Sequence, residues 1–105
     1  MRKFYTVNRN EKGIVELRVD GKTIFPFESQ KVYNHSPTGF EIGYGGSGPS
    51  QLALAILLDL YGRDIALKNY QEFKWKFIAT APYDGIVISS DDIDFWLKTK
   101  DAPKN

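Results

Sequence analysis

Apolar and polar residues alternate along much of the first half of the chain, whereas apolar residues recur at three- and four-residue spacing along the second. That change of period predicts a sheet followed mainly by helices. KFYTVNR reads as a strand, the polar NRNEKG as a turn, and GIVELRV as a second strand with Val15, Leu17 and Val19 on one face. Asp20-Gly21 separates that run from KTIFPF and predicts a β-hairpin, because its central residues must accept positive φ. Pro26 supplies no ladder donor, so the second arm should end near Phe25 or lie at a sheet edge. QKVYN and GFEIGY suggest two more strands joined by HSPTG, where Pro37 and Gly39 provide turn geometry. Paired as a hairpin, these strands would hold His35 and Ser36 at one extremity and the following glycine-rich loop at the other.

In the second half, Pro49 fits the first turn of a helix capped by Ser47 or Gly48, and Gly62 fits its stop. Leu52, Ala55, Ile56, Leu57, Leu58 and Leu60 cover most of this helix's circumference, which predicts a buried central helix. Asp64 is expected to cap a second helix that turns Leu67, Tyr70, Phe73, Phe77 and Ile78 inward and leaves Lys68, Lys74 and Lys76 in water. Pro82 lies beyond its end. After the YDG turn, IVIS reads as a strand and SSDDIDFWLKTK as a last helix, with Ser89 or Ser90 capping, acids in its first turn and lysines in its last. Trp75 and Trp96 fall in helices among apolar neighbours, as anchors of the core or of an interface. The fold expected is α+β: an antiparallel sheet of N-terminal hairpins packed on a buried central helix and two further helices. It forms a single domain over residues 1–100, with 101–105 as a frayed tail.

Composition narrows the function. A chain of 105 residues holds one ordinary domain, and 42% hydrophobic with 26% charged residues is the balance of a soluble globular one. Fourteen Lys and Arg against thirteen Asp and Glu leave a net charge of +1, so duplex nucleic acid is not an expected partner. With no cysteine and a single histidine, disulfides, thiolate chemistry and the usual zinc patterns are excluded, and neither a metal nor a cofactor is expected. The longest apolar run, LALAILL, is far below spanning length, and the N-terminus lacks an apolar signal region. No membrane partner is expected, and the cytoplasm is the expected location.

The candidate chemistry lies in GYGGSGPS, Gly43 to Ser50, where glycines concentrate at a high cost in backbone entropy. Gly43, Gly45 and Gly48 spell the dinucleotide fingerprint, but a second helix follows where that motif needs a strand, and Pro49 removes a phosphate-facing amide. A phosphate loop of the other common kind would need a lysine after the last glycine. The general chemistry remains: helix-start amides and glycine-rich turns cradle anions. The candidate ligand-binding residues are therefore His35, Ser36, Tyr44, Gly45, Gly46, Ser47, Gly48, Ser50 and Gln51, around a phosphate-bearing, nucleotide-type molecule. The alternative is that the glycines only permit a tight turn and close packing of the central helix. His35 and Ser36 do not read as a base and nucleophile, because neighbours on a strand point to opposite faces. Glu41 alternates with Phe40 and Ile42 and is expected on the face away from the core. Asp91, Asp92 and Asp94 are accounted for by the dipole at a helix start. With no catalytic set in view, binding is expected rather than catalysis.

NHSPTGFEIGYGGSGPSQLALAILLD, then NYQEFKWKFIA and DDIDFWL, resemble a family of small bacterial, archaeal and viral proteins sharing an HSP-x-GF-x-x-GYGGSGP-x-QLALA core ahead of a YQ-x-FK segment. The likeness spans roughly residues 34 to 97 and leaves the N-terminal hairpin outside. No activity is assigned to that family, so it implies no catalytic residues. It does imply a setting, that of phage or mobile-element accessory proteins which blunt host defence from the host cytoplasm. Two readings follow: a sponge that sequesters a signalling nucleotide, expected as a dimer or larger assembly, or an inhibitor that occludes a host defence or CRISPR protein through an exposed aromatic or hairpin surface.

Overall fold

The hairpin signals fold as expected in the computed structural model, which describes residues 2–101. Strand β1 (Phe4–Arg9) pairs antiparallel with β2 (Val15–Val19), and β2 pairs with β3 (Lys22–Ile24) across Asp20-Gly21. Both turn residues have positive φ, 50° and 85°, the left-handed geometry that makes Asp-Gly a hairpin signal. A later strand, β4 (Gly85–Ser89), joins the other side of β1, giving the order β3-β2-β1-β4. Pleating puts Tyr5, Val7, Val15, Leu17 and Ile88 on one buried face.

Helix α1 (Pro26–Val32) occupies part of the stretch expected to form a fourth strand at QKVYN. Proline in the first turn, Glu28 near the start and Lys31 in the last turn favour a helix, and they outweigh the short alternation that suggested a strand. GFEIGY is likewise no strand. Its alternation is real, since Phe40 and Ile42 are buried, yet the segment meets neither sheet edge, and Gly43 N–H donates instead to the Ile78 carbonyl. Alternation reports which faces are buried; it does not report a pairing partner.

Helix α2 (Ser47–Tyr61) is the hub: every residue from Gly48 to Leu57 is buried, and α1 and α3 (Arg63–Phe73) pack on it. Gly62, at φ 86°, ends α2 and also caps α3, so Asp64 sits in the first turn of α3 rather than capping it. After Phe73 the helix widens into a π-helical turn, Lys74–Ile78, in which Ala79 N–H reaches back five residues to the Lys74 carbonyl. Helix α4 (Ser90–Thr99) follows β4 directly, its N-cap Ser89 hydroxyl accepting from the Asp92 amide. Trp96 packs edge-on against Phe73 and Phe77, joining α4 to the core. The result is an α+β fold on one hydrophobic core. No helix among the described residues is long and apolar enough to cross a membrane. The expected tail begins at Asp101, a turn residue that accepts from Lys100, and its residues 102–105 lie outside the described residues.

Candidate functional site

Gln51, fully buried on α2, binds the HSP loop to the glycine loop's helix. Its carbonyl oxygen accepts from the amides of His35 (2.8 Å) and Ser36 (2.9 Å), and its amide nitrogen donates to Ser29 Oγ (2.9 Å) and the Tyr33 carbonyl (3.0 Å). Every hydrogen-bonding position of the side chain is thereby used within the protein. The expected separation of His35 and Ser36 from the glycine loop is thus reversed, because α1 and an irregular loop replace the two strands and Gln51 fastens that loop beside the start of α2.

Each glycine at that start has a specific neighbour. Gly43 adopts φ 86°, a conformation that L side chains rarely adopt. A Cβ on Gly45 would fall inside the indole ring of Trp75, one on Gly46 inside the ring of Tyr44, and one on Gly48 2.6 Å from Glu41 Cβ. Close packing thus accounts for the choice of glycine here. It also fixes the peptide planes. The Gly45 carbonyl accepts from Lys74 Nζ (3.1 Å), and the Gly46 carbonyl accepts from both the amide and the hydroxyl of Ser50 (each 3.1 Å). Across a trans peptide the N–H points opposite to the C=O. With the two carbonyls turned toward the protein, the amides of Gly46 and Ser47 turn away from it, and no hydrogen bond among the described residues takes up the amides from Tyr44 to Gly48.

An open cavity of about 310 Å³ lies beside them, lined by Ser36, Thr38, Glu41, Tyr44, Ser47 and Gly48, among others, while Gly45 and Gly46 adjoin that lining in the chain without forming part of it. Ser36, Tyr44, Ser47 and Gly48 therefore share the cavity's lining, against the separation expected of a hairpin. Ser50 and Gln51 do not line it, their polar groups being engaged inside. His35 lies away from the lining, its ring stacked on Tyr33 at 4.1 Å and hydrogen-bonded through Nε2 to the Tyr70 hydroxyl. Its pKa is held below the usual imidazole value, first by burial and then by the Lys74 charge.

Three residues of this region were not expected in it. Lys74, expected in water, is 5% exposed: it lies one turn after buried Tyr70 and two after buried Ala66, its Nζ reaches the Gly45 carbonyl, and its ammonium also lies 4.4 Å from the centre of the Trp75 ring. No carboxylate approaches it within 4.0 Å among the described residues, so its charge is buried without a counter-ion. Thr38 adds a hydroxyl to the cavity wall. Arg9, 3.1 Å from the Glu41 carboxylate, neutralises the one acidic wall residue while stacking on Tyr83. Helical spacing does put Lys74 four residues after Tyr70, at the edge of the inward face; its charge is what argued for water. Trp75, expected as a core or interface anchor, is 60% exposed and covers Gly45.

Residues 5–99 match a family of unknown function, DUF6166, and the chain belongs to that family. The match takes in the N-terminal hairpin that the motif likeness leaves out. No curated protein and no solved structure matches the chain.

Proposed function

We propose that this chain binds a phosphate-bearing small molecule of nucleotide type at the start of α2. The observation that carries the proposal is the buried Lys74 ammonium, held on the Gly45 carbonyl with no carboxylate beside it and with outward-facing amides on the next two residues. Burying an unneutralised charge is costly, and an anion docked on those amides would offset that cost while meeting the positive end of the helix dipole. Ser47 and Thr38 can add hydroxyl donors, and the exposed Tyr44 ring can stack on a base. Glu41 can accept from a sugar hydroxyl or an amino group. The cavity is at the small end of the range for ligand pockets, which suits one nucleotide rather than a dinucleotide. Among the described residues no lining hydroxyl hydrogen-bonds to Glu41 or His35, the two nearby groups able to act as a base. Sequestration fits this arrangement better than turnover, and it agrees with the sponge role that the motif likeness implies.

The test uses thermal unfolding of the full chain against mono-, di- and cyclic nucleotides, with Ser47→Pro as the control. Proline is well tolerated at the first helical position, where it deletes one outward amide and leaves the fold in place. A ligand at a hundred times its dissociation constant should stabilise the native protein by about 2.7 kcal/mol, a rise of roughly ten degrees or more. The expected result is such a rise in the native chain and its loss in Ser47→Pro. An equal rise in both, or none in either, contradicts the proposal.

A second reading rests on Phe25 and Phe27, 68% and 58% exposed beside a groove of about 400 Å³ between β3, α1 and α2. Exposed aromatics around an apolar groove suit a protein partner, as an inhibitor of a host defence protein would need. Under this reading a defined complex is lost in Phe25→Ser and Phe27→Ser and is indifferent to Ser47→Pro.

A further inference from the structure

The two edges of the sheet differ. At one edge β3 is three residues long, opens on Lys22 and is cut short by Pro26, which are common devices against unwanted pairing. At the other edge β4 is GIVIS, five residues with no charge, no proline and a β-branched centre, and it packs mainly on β1 and α4. Nothing in its sequence blunts that edge.

The register shows which of its groups are free. Ser90 N–H donates to the Lys3 carbonyl, so Lys3 and Ser90 form a hydrogen-bonded pair. Antiparallel pairs alternate, so Tyr5–Ile88 and Val7–Ile86 are also bonded pairs, whereas Gly85, Val87 and Ser89 turn their backbone groups to the open edge. Consistent with this, Gly85 N–H is taken by the Pro82 carbonyl and not by β1. Val87 is 64% exposed, and Ile86 is only partly buried within the protomer.

We propose that β4 pairs with β4 of a second copy of this chain, antiparallel about a two-fold axis at Val87, to make one continuous sheet across a dimer. The sequence is self-complementary about that point. Val87 meets its own copy in a bonded pair, each Ser89 N–H finds the Gly85 carbonyl of the other chain, and Ile86 comes opposite Ile88 on the buried face. An isologous contact of this kind closes on itself and leaves only the blunted β3 edges outside. Neither strand carries a charge, so no like charges face each other within the paired segment. The inference is independent of the ligand proposal, since β4 contributes nothing to the cavity lining.

Sedimentation equilibrium of the full chain tests it. The native protein should sediment at twice its chain mass of 12.0 kDa. Val87→Lys and Val87→Glu each place like charges against each other at the axis, and each should halve the mass while leaving a folded monomer with native circular dichroism, because the side chain is exposed. An equimolar mixture of the two variants should restore the doubled mass. A native chain that stays monomeric at hundreds of micromolar, or a dimer that survives both substitutions, would overturn the proposal. Because the chain has no cysteine, Val87→Cys gives a second readout: a short bifunctional thiol reagent should yield a covalent dimer if the axis lies at Val87, and failure to cross-link contradicts that register.

Discussion

Gln51, Gly45 and Lys74 show how single side chains set the shape of the region around α2. Replacing Gln51 by Leu leaves two amides, a carbonyl and a hydroxyl without their partner, and should cost about 3 kcal/mol in chemical unfolding. Gly45→Ala should destabilise the native chain through the Trp75 ring and do so much less in a Trp75→Ala background, a coupling that a double-mutant cycle reads directly. Substitutions at Gly46 or Gly48 strike Tyr44 or Glu41 in the same way, so they report on packing before they report on any ligand. Lys74→Met removes a buried charge that lacks a counter-ion, so stability should hold or rise. Nucleotide affinity should fall severalfold in the same variant, because a positive charge lying behind the amide-bearing peptides is removed. His35 gives a pH signature. Its folded pKa lies below the unfolded value, so the unfolded chain binds more protons between the two. Stability should therefore decline as pH falls below about 6.5, and His35→Gln should flatten that decline.

Among the elements, two phenols tie the layers together. Tyr5 donates to Asp59 (2.6 Å), joining β1 to α2, and Tyr61 donates to Asp94, joining α2 to α4. Burial, then the hydrogen bond and charge of the adjacent carboxylate, push both phenol pKa values well above the ordinary tyrosine range. The unfolded chain then loses protons above about pH 10 while the native chain keeps them, so stability should fall from there upward, less steeply in Tyr61→Phe. The elements most legible in the sequence were those with local terminators: the Asp-Gly hairpin, α2 between Pro49 and Gly62, and α4 behind Ser89. Residues 26 to 44 misled because alternation at Phe40 and Ile42 signals burial without naming a partner, and because the helix signals of Pro26, Glu28 and Lys31 are spread over a single short element. Lys74 misled because its charge argued for water although it lies one helical turn after buried Tyr70.

The molecule as a whole places its oriented amides at the start of its most buried helix, on a scaffold whose rigidity comes from α2 and the clamp around Gln51. Four of the expected site residues line the cavity, Gly46 adds an outward amide next to it, Ser50 and Gln51 hold the loops from inside, and His35 packs apart on Tyr33 and Tyr70; the sequence could suggest the candidates but not this division, which depends on where Gln51 and Ser50 direct their polar atoms. The central claim is that the outward amides of Gly46 and Ser47, backed by Lys74, receive a phosphate. Amide-resolved NMR titration of the full chain with a nucleoside diphosphate tests it most directly. The account expects saturable downfield movement of the Gly46 and Ser47 amide resonances, larger than at the β3 groove. Stationary Gly46 and Ser47 resonances at millimolar nucleotide, or movement confined to another surface, would contradict it.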